Sequence, residues 1–161
     1  MRAILLSAWF IFGVASASLA QSASIFKDVG AIAVVIQDLD PDAVREDFTV
    51  DLIRTDIEVE LRKAGIRVVD RNQLSDAAGR PYLFLVVNTL KGTLNTYTYS
   101  MELRFHQNAS LTRNPDVMLS VSTWNRSVIG SERGNRLPQL REKVKEMLMP
   151  FINEYLAANP R

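Results

Sequence analysis

The sequence contains no cysteine and only one histidine, His106, among its 161 residues. The missing cysteines exclude disulfide bonds, thiol catalysis, Cys-based zinc sites and a lipid anchor attached through cysteine. One histidine is too few for a multi-histidine metal site. The motif G-x-S-x-G is absent. Serine and aspartate are plentiful, so a Ser-His-Asp arrangement stays open in principle, but no motif points to a reaction. We interpret the chain as non-enzymatic, with no cofactor and no metal.

The chain also lacks an excess of charge of either sign. Its 19 Lys and Arg residues against 18 Asp and Glu residues give a formal net charge of +1. This balance provides no electrostatic reason to bind nucleic acid or an anionic membrane. Tyr97, Tyr99 and Trp124 have no basic groove beside them, so we expect core or rim aromatics and not base-stacking residues.

The N-terminus has the layout of a secretory leader. Arg2 precedes an apolar run over 3–14, and residues 15–20 are mostly small, with Ser18 and Ala20 where signal peptidase requires small side chains. The alternative is an uncleaved membrane anchor, which needs about 20 apolar residues.

We therefore predict a cleaved signal peptide over 1–20 and a single domain over 21–161. An exported chain without cysteine fits a bacterial envelope better than a eukaryotic secretory route, where disulfides are common. We predict a periplasmic α/β domain; an extracellular location is the alternative.

The clearest pattern in the chain runs from Tyr97 to Leu111. Apolar side chains alternate with polar ones, and Gln107 is the one lapse. The apolar set is Tyr97, Tyr99, Met101, Leu103, Phe105, Ala109 and Leu111. Because side chains of a strand alternate between faces, this pattern predicts a long antiparallel strand with one face on a core and the other towards water. It predicts helices on one face of the sheet only.

The rest of the chain gives the order β-α-β-β-β-β-α, an α+β fold in which a mostly antiparallel sheet has two helices on one face, an α/β two-layer sandwich. The predicted strands span 31–37, 66–69, 82–90, 97–111 and 117–129, and the predicted helices span 40–64 and 138–158. The first strand should lie inside the sheet, Pro150 should kink or divide the second helix, and a β-bulge should occur near Ser122 and Thr123 because the apolar parity switches there.

Asp38, Asp40 and Asp42 imitate the start of a calcium loop. Such a loop needs glycine at its sixth position and glutamate at its twelfth, where this chain has Ala43 and Thr49. Helix capping by Asp40 explains the cluster better. The segment still offers a small polar cleft for a ligand.

The predicted working surface is the uncovered face of the sheet. Bulky apolar groups occupy both faces of the strand over 82–90, so either a partner or the flanking loops cover the second face. The candidate interaction residues are Tyr82, Phe84, Val86, Arg104, His106 and Trp124. We interpret His106 as a strand residue of the wet face, and a catalytic role as the lesser alternative.

The segment 61–74, LRKAGIRVVDRNQL, resembles a group of small bacterial envelope domains. The group includes the CsgG-type secretion components, the TolB amino-terminal domain and LptE, in which a helix ends near a glycine and a short strand ends in Val-Asp-Arg. Many of these proteins are lipoproteins, and this chain has no cysteine to lipidate. The resemblance implies a scaffold or docking module and no catalytic residues.

From these patterns we expect an exported accessory or assembly protein that binds envelope protein partners. A periplasmic lipid- or sugar-binding protein, with its pocket near Asp38 and Asp42, is the first alternative. A hydrolase that uses Ser/His or paired carboxylates is the second. The sequence leaves open whether the chain is a homo-oligomer.

Overall fold

A computed structural model describes residues 25–160 of the chain. The predicted signal peptide, 1–20, lies outside the described residues. The strands are β1 (Ala33–Ile36), β2 (Tyr82–Lys91), β3 (Thr96–Leu111) and β4 (Asn114–Arg133), and the α-helices are α1 (Pro41–Arg45), α2 (Val50–Lys63) and α3 (Leu140–Ala158). Short 3-10 segments cover Arg71–Asp76, Thr93–Asn95 and Gly134–Gln139.

The four strands form one mixed sheet in the order β1-β2-β3-β4. β1 is parallel to β2, and the other two pairs are antiparallel. The predicted α+β class and the order of elements are confirmed. The strand predicted over 66–69 is reduced to a single parallel bridge between Ile32 and Val68. β1 therefore lies at the end of the sheet, and not inside it as the sequence predicted.

The core lies between one face of the sheet and the helices. Leu83, Leu103 and Phe105 are fully or almost fully buried on that face. The ring of Phe105 lies 5.2 Å from the ring of Phe151 in α3, measured between centroids. The alternation along β3 is therefore real, and its apolar side faces the helices as predicted.

The predicted β-bulge is confirmed. Phe105 pairs with Trp124 and His106 pairs with Ser122, so Thr123 is the extra residue of β4. The Thr123 hydroxyl accepts a hydrogen bond from the Gln107 side-chain amide at 2.9 Å. The bulge is the point at which the apolar parity of β4 changes.

The single helix predicted over 40–64 is wrong. Two helices replace it, α1 and α2, separated by a turn in which Asp47 has a φ of +62°. A continuous helix would place Val44 and Phe48 on the same face. The turn instead buries Phe48 completely and leaves Val44 43% exposed. Burial of the phenylalanine therefore overrides the local helical preference.

The C-terminal helix, by contrast, is not divided. α3 runs unbroken through Pro150, although proline cannot donate the hydrogen bond that the helix would form there. Phe151 and Ile152, directly after the proline, are buried in the core. Packing against the sheet therefore stabilises a continuous helix through Pro150. Among the helices of 25–160, none has the length and apolar composition that crossing a bilayer requires.

Candidate functional site

The second face of the sheet lies opposite the helices, and we call it the open face. Its half-buried residues include Val35 in β1, Tyr82, Phe84 and Val86 in β2, and Glu102, Arg104 and His106 in β3. These side chains alternate with the buried ones, because successive residues of a strand point to opposite faces. Five of the six predicted interaction residues therefore lie together, on one surface.

The rings of Tyr82, Phe84 and His106 form a cluster at one end of the open face. The rings of Tyr82 and His106, on neighbouring strands, are 4.9 Å apart between centroids and 13° from parallel. Phe84 meets the edge of His106 at 6.0 Å. The Tyr82 hydroxyl lies 3.1 Å from the Ser120 hydroxyl, and the guanidinium of Arg71 lies 5.9 Å from the Tyr82 ring. The segment Arg71–Asp76 therefore flanks this end of the open face. Cover of the second face by flanking loops, the alternative to a partner, thus applies to this end.

His106 is enclosed within this group. Both ring nitrogens are shielded from solvent, and neither has a hydrogen-bond partner among the residues of 25–160. Burial lowers the pKa of His106 below its usual value of 6.5, and the positive charge of Arg104 lowers it further. No described serine or carboxylate is hydrogen-bonded to the imidazole, so a Ser-His-Asp relay is not assembled at this histidine.

An ion pair lies beside the rings. The Arg104 guanidinium donates to the Glu102 carboxylate at 2.5 Å. This hydrogen bond holds the pKa of Glu102 below its usual value and the pKa of Arg104 above its own. About a third of each side chain is exposed. The open face therefore presents an apolar strip bordered by one fixed, accessible pair of opposite charges.

Trp124 does not belong to this surface. It pairs with Phe105 across β3 and β4, so it lies on the face that the helices cover. Its ring meets the Phe151 ring edge-on at 5.4 Å, and its indole N–H donates to Glu154 at 3.2 Å. Its placement among the interaction residues is corrected: Trp124 anchors α3 to the sheet.

Two exposed apolar residues of the open face were missed by the sequence analysis. Leu90 is 73% exposed and pairs with Thr98, and Ile129 is 76% exposed and pairs with Ser100. Both pair with residues on the polar side of β3, which places them on the open face. The alternation in β3 predicts the faces of Leu90 and Ile129 once the register of β2 and β4 with β3 is known.

The aspartate cluster works as a helix cap. The Asp40 carboxylate accepts a hydrogen bond from the backbone N–H of Asp42 at 2.7 Å, with Pro41 at the first helical position. The Asp42 carboxylate is paired with Arg45. Within 25–160, no group of three or more His, Asp or Glu side chains is arranged to hold a metal ion. Capping is the interpretation that the geometry supports.

A polar cleft lies elsewhere, between the start of β1 and the loop before β2. It has a volume of about 620 Å³. Its polar lining comes from Asp28, Arg67, Asn72 and Gln73. These groups offer both charges and amide hydrogen bonds to a small polar molecule.

Comparison with known proteins adds no functional assignment. No family model matches the chain, and no curated protein is significantly similar to it in sequence.

Proposed function

We propose that this protein is a non-enzymatic accessory or assembly component of a bacterial cell-envelope complex, and that it binds a protein partner through the open face. The observation that carries the proposal is the apolar strip of Tyr82, Phe84 and Val86 on a sheet face that no helix of 25–160 covers. Apolar patches of this kind on a soluble domain usually mark interaction surfaces.

The chemistry of the strip fits a protein partner. Aromatic side chains with a polar edge, such as Tyr82 and His106, are typical of the centre of protein–protein interfaces. The pair of Glu102 and Arg104 at the border offers both signs of charge to a partner and would fix its orientation. A partner surface with only acidic or only basic groups would be repelled by one residue of the pair.

The compartment rests on the N-terminal pattern of the sequence and on the resemblance of 61–74 to envelope domains. Under this proposal the leader over 1–20 is removed and the mature domain works in the periplasm. The lack of cysteine fits a protein that is held at the envelope by its partners and not by a lipid.

Affinity isolation with matched variants tests this function. We expect the wild-type chain to be recovered from gently solubilised envelopes together with another envelope protein. Phe84→Lys on the open face should lose that protein. Val59→Lys, at a 39% exposed valine of α2, should retain it. Recovery of the chain without any other protein, or equal loss in both variants, contradicts the proposal. Thermal unfolding of each variant establishes that it is folded.

The polar cleft supports a second candidate function, binding of a small ligand. Its lining by Arg67, Asn72 and Gln73 suits a sugar better than a lipid tail. A sugar screen that raises the melting temperature of the wild type, but not of Arg67→Ala, supports it. An unchanged melting temperature throughout the screen rejects it.

A further inference from the structure

The two edges of the sheet differ in how their backbone groups are satisfied. At the β1 edge, Ile32 exchanges hydrogen bonds with Arg67 and Val69, and the Arg54 guanidinium donates to the Val34 carbonyl at 2.8 Å. At the other edge, β4 pairs with β3 only, and no other segment of 25–160 forms a backbone hydrogen bond with it. An uncovered edge strand is a template for a further strand.

Only half of that edge is suited to pairing. Pro115 and the bulge at Thr123 interrupt the first half of β4, and both features discourage strand addition. Residues 124–133, which we call the edge segment, contain neither. Ile129 lies near the middle of the edge segment and is 76% exposed. This segment can therefore accept a continuous added strand.

The charges of the edge segment favour one particular occupant. Its charged residues are Arg126, Glu132 and Arg133. Arg126 and Glu132 pair with Leu103 and Tyr97 of β3, so both lie on the helix-covered face. Arg126 forms no hydrogen bond or ion pair with any described residue, whereas Glu132 lies 3.6 Å from Arg136. A suitable strand would place a carboxylate opposite Arg126.

We propose that the edge segment pairs with the edge segment of a second copy of this chain, antiparallel and centred on Ile129. In this register Arg126 of each copy lies opposite Glu132 of the other, and the two Ile129 side chains meet on the two-fold axis. Other antiparallel registers also keep the helix-covered faces of the two copies on the same side of the joined sheet. Of these registers, only this one places a basic and an acidic residue of the edge segment opposite each other. A two-fold axis forms each contact twice, and the two sheets become one.

Arg126 also disfavours the addition of strands that carry no acidic residue in register. The unpaired Arg126 would be buried against an incoming apolar strand, and this is unfavourable. A strand with an acidic residue in register removes that penalty. The second copy supplies one without any other protein.

Charge reversal tests the register. Arg126→Glu and Glu132→Arg each set like charges opposite each other in a dimer of identical chains. Each should weaken self-association roughly tenfold or more by analytical ultracentrifugation. An equimolar mixture of the two variants should restore it, because both contacts are then between unlike charges. Dimers that either reversal leaves unchanged, or variants whose mixture stays monomeric while the wild type dimerises, overturn the proposal.

Disulfide trapping provides an independent test, which is clean because the chain has no cysteine of its own. Ile129→Cys should form a covalent dimer on oxidation, since directly opposed residues of neighbouring strands lie within disulfide range. Ser127→Cys should not, because residue 127 lies opposite residue 131 in this register. A monomeric wild type at every concentration, or crosslinking of Ser127→Cys in preference to Ile129→Cys, overturns the proposal. A crosslink from Ile129→Cys to a different protein alone does so too.

Discussion

Tyr82 and His106 stack face to face across β2 and β3, with ring centroids 4.9 Å apart. The stack leaves both imidazole nitrogens shielded and without a partner in the described part of the chain. The stack favours the neutral imidazole, since the charged form would need hydrogen-bond partners or water at both nitrogens. Folding therefore favours the uncharged form of the histidine in the open face.

A pH dependence of stability follows from this stack. His106 has a lowered pKa in the folded state, so the unfolded chain binds the proton more readily. The free energy of unfolding should therefore be highest above pH 6.5 and should fall as the pH drops through 6.5 towards the lowered pKa. Chemical denaturation at a series of pH values between about 7 and 5 measures it. His106 is the only histidine, so the change in that range reports on it.

His106→Phe isolates the contribution of the imidazole. The variant retains a ring against Tyr82 and removes two unsatisfied nitrogens, so its stability at pH 7 should be unchanged or about 1 kcal/mol higher. Its stability should also be flat across the window in which the wild type declines. Arg104, whose charge helps to lower the pKa of His106, has a raised pKa of its own and stays protonated throughout this window. Tyr82→Phe, as the control, should keep the wild-type pH dependence. A decline of equal size in His106→Phe would contradict the assignment.

The ion pair between α2 and α3 should be sensitive to acid. Arg141 donates to Asp56 through two nitrogens, at 2.6 and 2.9 Å, and this hydrogen bonding lowers the pKa of Asp56 below 3.8. The pair should stabilise the fold fully above about pH 5, and this stabilisation should be lost as the pH falls from 3.8 through the lowered pKa of Asp56.

Asp56→Asn should cost about 1–3 kcal/mol at pH 7, because it removes a charge-assisted, partly buried pair. Urea denaturation measures the loss. Glu58→Gln is the matched control, since its partner Arg62 is 55% exposed, and the expected loss is about 0.5 kcal/mol or less. Equal losses of unfolding free energy in the two variants would show that the Asp56–Arg141 pair stabilises the fold no more than an exposed ion pair does.

Gly130 should not tolerate a side chain. A Cβ at this position would lie 2.6 Å from the hydroxyl oxygen of Tyr99 and 2.8 Å from its ring carbon Cζ. Tyr99 is 7% exposed and has little room to move. Gly130→Ala should therefore lower the free energy of unfolding by about 1–3 kcal/mol. Gly30→Ala, where a Cβ meets nothing within 4 Å, should be nearly neutral by the same thermal or chemical denaturation. A neutral Gly130→Ala would refute this account of the glycine.

The predicted leader peptide has its own test. Intact-mass spectrometry of the exported chain should give an N-terminus at Gln21. Ala20→Leu should block cleavage, because signal peptidase requires a small side chain at that position. Ala17→Leu makes the same change where no such requirement holds, and it should be processed normally. A mature chain that begins at Met1 would contradict the predicted cleavage and the compartment inferred from it.

The alternation in β3 was enough to predict the layers of the fold. It predicts that Tyr97, Leu103 and Phe105 lie against the helices, since an alternation of apolar and polar residues puts all the apolar ones on the covered face of the sheet. The break at Asp47 was not predictable in this way. No glycine or proline marks the break. It forms because the turn buries Phe48 in the core, which a continuous helix would not do.

The surface was predicted less completely, and for a physical reason. The prediction that Trp124 lies on the open face is wrong, although the sequence also predicts a bulge just before this residue. The parity of one strand does not fix its faces until its register with the next strand is known. The pairing of Trp124 with Phe105 decides the matter. Ile129 was missed for the same reason, since its partner Ser100 reveals its face.

Site-specific photocrosslinking in cells tests most directly whether the open face is the working surface. A photoreactive residue replaces either Val86, which is half-buried on the open face, or Val59, which is 39% exposed on α2. The account predicts a discrete crosslinked product with another envelope protein from position 86, none from position 59, and loss of the product in Phe84→Lys. A product from position 59 together with none from position 86 would contradict it.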